Sequence, residues 1–321
     1  SFGTSSKRRK SLSTLRMQNR EGLGKARISA VTGVVLAGAL LLSACSSSSS
    51  SSANAVATTT ATTGSAAAAL VPAAIKSLGT ITIGSDASYA PNEYIGTDGT
   101  TVEGMDVDLG TAIAKELGLT VKFVNAPFDS IIPALQAGKY QLGISSFTDN
   151  KTREQVVDFV TYFTAGTMWA VQTGNPQKVD INNACGLKIA VQKGTVQIED
   201  IKARSDACTK AGKKAINFEQ YQLQTDATAA VISGKDLAML ADSPVTGYAV
   251  SQSGGKLQLL GQSYGDAPYG IAVPKLAGTF KDAILAALKT LISNGAYTTI
   301  LTKWGVQSGA ISTPVINGAT S

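Results

Sequence analysis

The sequence predicts an α/β protein built from two successive strand–helix sets, and three observations predict it. From Ile81 onward, short β-rich runs alternate with amphipathic helical stretches, several of them closed by glycine. The alternation is interrupted once, by an extended apolar run from Gly166 to Val171 and a polar Thr173-Gly174-Asn175-Pro176 turn, and then begins again. Late in the chain a long helical stretch and a shorter one stand where they could return to the first set. Periodicity alone leaves that return open.

In order, Thr80-Ile81-Thr82-Ile83-Gly84 reads as the first strand. Asp106 is placed to cap a helix whose apolar side is Leu109, Ile113 and Leu117, stopped by Gly118. Val121, Phe123 and Val124 form the next strand, and Ile131, Ile132 and Leu135 a helix ended by Gly138. Leu142 to Ile144 is a strand that delivers a polar segment. That order implies right-handed crossovers and a mainly parallel sheet. In the second set, Lys188 to Val191 is a strand, and Gly194-Thr195 opens a helix to about Ala211. Ala215 to Phe218 is a strand, Thr225 to Ile232 a helix closed by Gly234, and Leu237 to Leu240 a strand that delivers Asp242. Leu257 to Leu260 reads as an edge strand. Gly270-Ile271-Ala272-Val273, the helix Phe280 to Ile292 and the Ile300 to Trp304 segment complete the pattern.

The segment after Ile144, Ser145-Ser146-Phe147-Thr148-Asp149-Asn150-Lys151-Thr152-Arg153, sets small hydroxyls and helix-start amides ahead of one arginine. A planar guanidinium donates two parallel hydrogen bonds to a carboxylate, and hydroxyls and amides fill the remaining lone pairs. The chemistry is that of a carboxylate-binding device. A solvated turn in which Arg153 pairs with Glu154 is the bland alternative. Asp242 before Ser243-Pro244 is open to a similar reading as a plain helix cap, and Tyr89 to one as a core aromatic.

A chain of 321 residues can hold two domains with separate cores. Its formal charge of +6 is local. Lys7, Arg8, Arg9, Lys10, Arg16, Arg20, Lys25 and Arg27 precede residue 45 against the single acid Glu21, so the remainder is close to neutral and has no nucleic-acid footprint. There is no histidine, which argues against hydrolase triads and zinc enzymes.

The basic start is followed by an uncharged run, Ile28 to Leu42, too short to span a bilayer comfortably. It ends in Leu42-Ser43-Ala44-Cys45, which resembles the lipobox of bacterial lipoproteins. By that resemblance residues 1–44 are a signal peptide and Cys45 carries the lipid, with an ordinary buried cysteine as the alternative. Arg8-Arg9 lies too far from the apolar run to weigh as a twin-arginine signal. Residues 45–77, rich in Ser, Ala and Thr, read as a flexible tether. Cys185 and Cys208 are then the remaining cysteines, and export allows them to oxidise. A bridge would close a loop of about 23 residues and stabilise the fold by ~2–4 kcal/mol. A metal pair would need a third ligand that the sequence does not offer nearby, and two reduced core thiols are the other alternative.

Further motifs carry a family resemblance over about residues 78–308. They are Asp86-Ala87-Ser88-Tyr89-Ala90-Pro91, Gly104-Met105-Asp106-Val107-Asp108-Leu109 and Phe128-Asp129-Ser130-Ile131-Ile132-Pro133-Ala134-Leu135. Ser145 to Arg153 follows with Val157-Asp158-Phe159, then Gln192-Lys193-Gly194-Thr195, Ala241-Asp242-Ser243-Pro244-Val245 and Tyr269-Gly270-Ile271-Ala272-Val273. Together and in this order they resemble the extracytoplasmic solute-binding proteins of polar amino-acid ABC transporters, family 3. The paired cysteines and Ser-rich tether look like high-GC Gram-positive members.

The resemblance implies a periplasmic-binding-protein-like fold, two α/β lobes joined by a two-crossing hinge. Lobe 1 would be 78–166 plus 267–308, lobe 2 the inserted 171–262, and 309–321 a C-terminal tail. It implies that Arg153 holds the ligand α-carboxylate with Thr148 and Thr195, and that Asp242 holds the α-ammonium with the Ser146 carbonyl. Tyr89 and Phe128 would sandwich the side chain, with Asp86 at its distal end beside the hydroxyls of Ser145 and Ser146. A basic amino acid is the expected ligand, glutamine the next, and glutamate is disfavoured. No cofactor, metal or catalytic residue is implied. A monomer, lipid-anchored to the outer face of the cell membrane, is expected to serve an ABC permease and its ATPase. Gln141 and Asn92-Glu93-Tyr94 depart from the family pattern, and the second lies near the cleft mouth. The alternative is an enzyme on the same fold, a cyclohexadienyl- or arogenate-type dehydratase, for which Glu93 is the candidate proton-transfer group.

Overall fold

The structure, a computed structural model, describes residues 65–320. The expected signal peptide, Cys45 and the tether as far as residue 64 lie outside the described residues. The first described elements are two helical turns, α1 (Ala66–Ala69) and α2 (Ala73–Lys76). A first set follows: β1 (Thr80–Ser85), the short strands β2 (Ser88–Tyr89), β3 (Glu93–Ile95) and β4 (Val102–Glu103), α3 (Met105–Glu116), β5 (Thr120–Asn125), α4 (Phe128–Gln136), β6 (Leu142–Gly143) and α5 (Lys151–Glu154). The long strand β7 (Val157–Gln172) leads to a second set of β8 (Lys188–Gln192), α6 (Val196–Lys210), β9 (Asn217–Tyr221), α7 (Gln224–Ile232), β10 (Ala238–Asp242) and α8 (Ser243–Gln252). A second long strand, β11 (Leu257–Pro274), returns to the first set, where α9 (Phe280–Ser293) and α10 (Ala296–Trp304) complete it.

One eight-stranded sheet runs through both lobes in the order β5-β1-β6-β11-β7-β10-β8-β9. Its two flanks are parallel, β1 with β5 and β6, β8 with β9 and β10. Its centre is antiparallel, because β7 runs out and β11 runs back. Parallel flanks need crossover helices, which is why each set alternates strand and helix. Among these parallel strands, β6, β8 and β10 end facing one crevice, where polar side chains can project without disturbing the core.

Each lobe has its own core. In lobe 1, Ile81 and Ile83 of β1 meet Met105, Leu109 and Ile113 of α3 and the buried face of α9, formed by Phe280, Ile284, Leu288 and Leu291. Those α9 positions recur at helical spacing and bury one stripe. In lobe 2, Trp169, Val171, Ile189, Val191, Ile201 and Leu240 pack together. Cys185 and Cys208 are disulfide-bonded and join the strand-8 approach to the end of α6 beside this core.

Three sequence readings need correction, and a fourth gains detail. The tether was expected to reach residue 77, but Ala67 and Val71 are buried against lobe 1, and Thr279 Oγ1 donates to the Leu70 carbonyl. Small residues carry little apolar area themselves, yet they can cover an apolar face that α9 already offers. Asp106 is not a cap: Gly104 is the N-cap residue of α3, and Asp106 sits fully buried inside the first turn. Leu257–Leu260 is not an edge but the start of an 18-residue central strand whose register slips between Leu260 and Tyr264 and again before Ala267. Glycines 261 and 265 have positive φ and occupy those slips. Finally, residues 309–321, expected as a C-terminal tail, pack back on lobe 1 over their described length, where Ile316 bridges Val160.

Candidate functional site

The ends of β1, β6, β8 and β10, with α4, α5 and the start of α6, surround a narrow cavity between the lobes, whose free space of about 10 Å³ is no more than a water molecule needs. All nine residues singled out in the sequence line it: Asp86, Tyr89, Phe128, Ser145, Ser146, Thr148, Arg153, Thr195 and Asp242. Gln192, Val196 and Gln197 complete the wall. Gln192 ends a strand inside a quoted motif. Gln197 and Val196 lie in the first turn of α6, a position that a Gly-Thr helix start could have flagged.

Arg153 is positioned by one helical turn. Asn150 caps α5, its side-chain oxygen accepting from the Arg153 amide at 2.8 Å. The guanidinium lies 5.5 Å from the Phe128 ring centre and 5.7 Å from that of Phe147, and the two rings stack at 4.7 Å. Its Nη1 donates to the Thr148 carbonyl at 2.9 Å and its Nη2 to the Gly194 carbonyl of the other lobe at 3.0 Å. Burial pulls its pKa down from the usual value, with Asp242 pulling the other way. A guanidinium keeps its charge under such a shift.

Asp242 is the N-cap residue of α8, but its side chain makes no capping bond. Its carboxylate accepts instead from Gln197 Nε2 at 2.8 Å and from the Tyr269 hydroxyl at 2.7 Å, and its amide donates to Tyr89 Oη at 3.2 Å. The plain-cap alternative therefore fails. Desolvation raises its pKa, while hydrogen bonds from Tyr269 and Gln197 and the charge of Arg153 lower it. Tyr269 was quoted only as part of a strand motif. Its role is visible once β11 pairs with β7 and the Tyr269 hydroxyl reaches the Asp242 carboxylate at the end of β10, the next strand over.

Asp86 is 1% exposed. Its Oδ1 accepts from the Ser88 amide and hydroxyl, and its Oδ2 from the Phe128 amide at 2.9 Å and Gln192 Nε2 at 3.1 Å. Burial raises its pKa against those bonds. Ser145 Oγ accepts from the Asp86 amide, and Ser146 adopts a left-handed backbone at φ 51°. Both serine hydroxyls donate to Glu93, which is fully buried behind them and does not line the cavity. Glu93 faces Asp106, which accepts from the Ser146 amide at 2.8 Å and the Tyr162 hydroxyl at 2.8 Å. Burial first, and then the Asp106 charge, push Glu93 well above the usual carboxyl range. This acid pair supports the floor of the site from behind.

Thr195 is the N-cap residue of α6, and its hydroxyl donates back to the Gln192 carbonyl rather than along the helix. The α6 start therefore brings unpaired helix amides to the cavity edge. At the rim, Lys193 pairs with Asp129 at 2.9 Å, and Gln222 Nε2 donates to the same carboxylate at 3.0 Å. Gly194, at φ 81°, lies where a Cβ would come within 2.8 Å of the Asp129 Cβ. Only glycine lets the two lobes approach so closely there.

The comparisons with known proteins follow the same outline. The family model for bacterial extracellular solute-binding proteins, family 3, matches residues 81–307. The arginine-binding protein ArgT of Corynebacterium glutamicum is 36% identical, across 77% of this chain and 81% of that protein. Among solved structures, an ancestral arginine-binding protein bound to arginine matches with a TM-score of 0.66 at 32% identity, covering 70% of this chain and 98% of that one. The ancestral amino acid-binding protein AncCDT-1, a precursor of cyclohexadienyl dehydratase, matches at 0.65 and 31% identity, covering 72% and 97%.

Proposed function

Because the chain belongs to the bacterial extracellular solute-binding proteins of family 3, we propose that it captures a basic L-amino acid, arginine first, and delivers it to an ABC permease. One observation carries the choice of ligand: the charged residues lining the cavity are two carboxylates, Asp86 and Asp242, and one guanidinium, Arg153. A zwitterion with a cationic side chain is the amino acid whose charges match that set. Relatives named as arginine-binding proteins support the same reading.

In this reading Arg153 takes the α-carboxylate by its bidentate fork, with Thr148, Thr195 and the α6 start as further donors. Asp242 takes the α-ammonium, together with the Ser146 carbonyl. Tyr89 and Phe128 flank the side chain, and Asp86 receives its cationic end. The Gln192 amide now on Asp86 comes from the other lobe, so a guanidinium would take its place without disturbing the bonds from Ser88 and Phe128. A cation there also offsets the desolvation that raises both carboxyl groups. Capture needs no bond making, and Glu93, the candidate acid of the dehydratase alternative, lies behind the wall.

A thermal-shift screen against the proteinogenic amino acids, ornithine, citrulline and cystine tests the proposal. Arginine, lysine, ornithine or histidine should stabilise most, by about 2.7 kcal/mol at a hundredfold excess over Kd. Glutamine is the next candidate. Stabilisation by glutamate with none by arginine would reverse the assignment. We further propose lipid attachment at Cys45, checked by loss of fatty-acid labelling in Cys45→Ala.

A further inference from the structure

The chain beyond α10 turns back along lobe 1 and reaches the turn that carries Arg153. The Thr161 amide donates to the Val315 carbonyl and the Asn317 amide to the Phe159 carbonyl, each at 2.9 Å. Asn317 Oδ1 accepts from the Phe159 amide at 2.8 Å, and Asn317 Nδ2 donates to Asp158. Residues 315–317 thus cover the edge of β7 opposite β11. Asn317 then takes a left-handed backbone, φ 53°, which asparagine tolerates well, and redirects the chain. The next two amides leave β7. Gly318 N donates to Asp149 Oδ2 at 2.7 Å, and Ala319 N to Glu154 Oε1 at 3.1 Å.

Asp149 stands between Thr148 and Arg153 in sequence and is 1% exposed. Its own amide donates to the Pro268 carbonyl of β11 at 2.8 Å. The turn is therefore held on one side by a hinge strand and on the other by the returning segment. Helix α5 is a single turn, too short to be rigid by itself, so the orientation of Arg153 depends on these ties. We propose that residues 315–319 form a strap that sets ligand affinity from outside the cavity, with Asp149 as the positioning residue through which it holds Thr148 and Arg153. The inference rests on the ligand reading above.

The protonation of Asp149 gives the strap a signature. Burial and the neighbouring Glu154 charge raise its carboxyl to about 7, against the Gly318 amide and Lys151. Its second oxygen is buried without a hydrogen-bond partner, and a proton there can be donated toward Glu154. The charged groups acting on it, Glu154, Lys151 and Arg153, belong to α5. β11 and the strap meet it with backbone, the Pro268 carbonyl and Gly318 amide. Since the folded pKa is raised, the clamp is complete below about pH 7 and loosens as rising pH puts two carboxylates side by side.

The test is calorimetric titration of the full chain and three variants with L-arginine between about pH 5.5 and 8, a range in which arginine itself does not change charge. Asp149→Ala should raise Kd roughly tenfold, as expected for losing one well-placed buried hydrogen bond. Asp149→Asn keeps an acceptor for Gly318 and a neutral donor for Glu154. It should stay within about twofold of wild type at the acid end and show a flatter pH profile than wild type, whose affinity falls toward pH 8. Wild-type affinity in folded Asp149→Ala, or the same pH profile in Asp149→Asn and wild type, overturns the strap. Arg153→Ala separates the two ideas. Unchanged arginine binding there overturns the ligand reading, whereas loss there with none in Asp149→Ala overturns the strap alone.

Discussion

Replacing Asp242 by alanine is the sharpest test of the site. In the structure this carboxylate is 6% exposed and holds Gln197 Nε2 at 2.8 Å and the Tyr269 hydroxyl at 2.7 Å. Alanine removes the charge that would meet the ligand ammonium and leaves those two donors facing an apolar gap. Truncating one partner of a desolvated, hydrogen-bonded charge pair costs about 2–5 kcal/mol, or roughly thirtyfold to several-thousandfold in Kd. The fold should survive, because Asp242 ends β10 at the cavity and its side chain is not part of either apolar core. Calorimetry with arginine, its α-amide and its N-acetyl derivative gives the pattern as well as the size. Wild type should reject both derivatives, Asp242→Ala should discriminate less against the N-acetyl compound if it fits, and Arg153→Ala less against the amide. Even Arg153→Lys should weaken binding, since an ammonium lacks the planar fork. If both alanine variants keep wild-type affinity while circular dichroism shows native folding, the ligand sits elsewhere.

Three other expectations concern the frame. Cys185→Ser should lower the melting temperature of oxidised protein, in line with a loss of ~2–4 kcal/mol, and change little once wild type is reduced; two free thiols in the denatured, unreduced wild-type domain would contradict the bond. Asp129→Ala removes the rim pair with Lys193, which is half-exposed, so ligand release should quicken by a small factor, about 0.2–1 kcal/mol, that shrinks in high salt. A stopped-flow release rate equal to wild type at low salt would show that the rim does not hold the lobes. Asp158 is held at about 2, burial notwithstanding, by Asn317, Lys281 and Lys275. Its folded pKa is lowered, so its contribution is intact above about pH 4 and disappears as pH falls toward 2. Lys281→Ala should therefore destabilise at neutral pH and converge with wild type in acid, and equal melting temperatures at neutral pH would count against the pairing.

Much of the cavity wall could be read from the sequence because parallel strands present it. Ser145, Gln192 and Asp242 each stand at or just beyond the carboxyl end of a strand, where polar residues after an apolar run have one place to go. Gln197 and Tyr269 were harder to find. One lies in a helix whose apolar stripe is weak, and the other is a buried aromatic whose hydroxyl matters only after β11 pairs with β7. Leu257–Leu260 reads locally as an edge strand, Gly261, Gly265 and Pro268 being strand breakers, and the long-range pairing with β7 overrides them. Asp149 and the strap carry no periodicity at all. Their meeting depends on a contact across 169 positions of sequence, for which spacing gives no clue.

The continuous sheet has a consequence for how this molecule comes apart. Two cores normally suggest two melting events. Here β7 and β11 each belong to both lobes, and their ladder extends from Val157–Pro274 to Gln172–Leu257. Unfolding either lobe strips partners from strands that the other lobe needs, leaving buried amides and carbonyls unpaired. Calorimetric and van't Hoff enthalpies of the described domain should therefore agree, as for a single cooperative unit. A ligand seated between the lobes would then move one transition as a whole, not broaden or divide it.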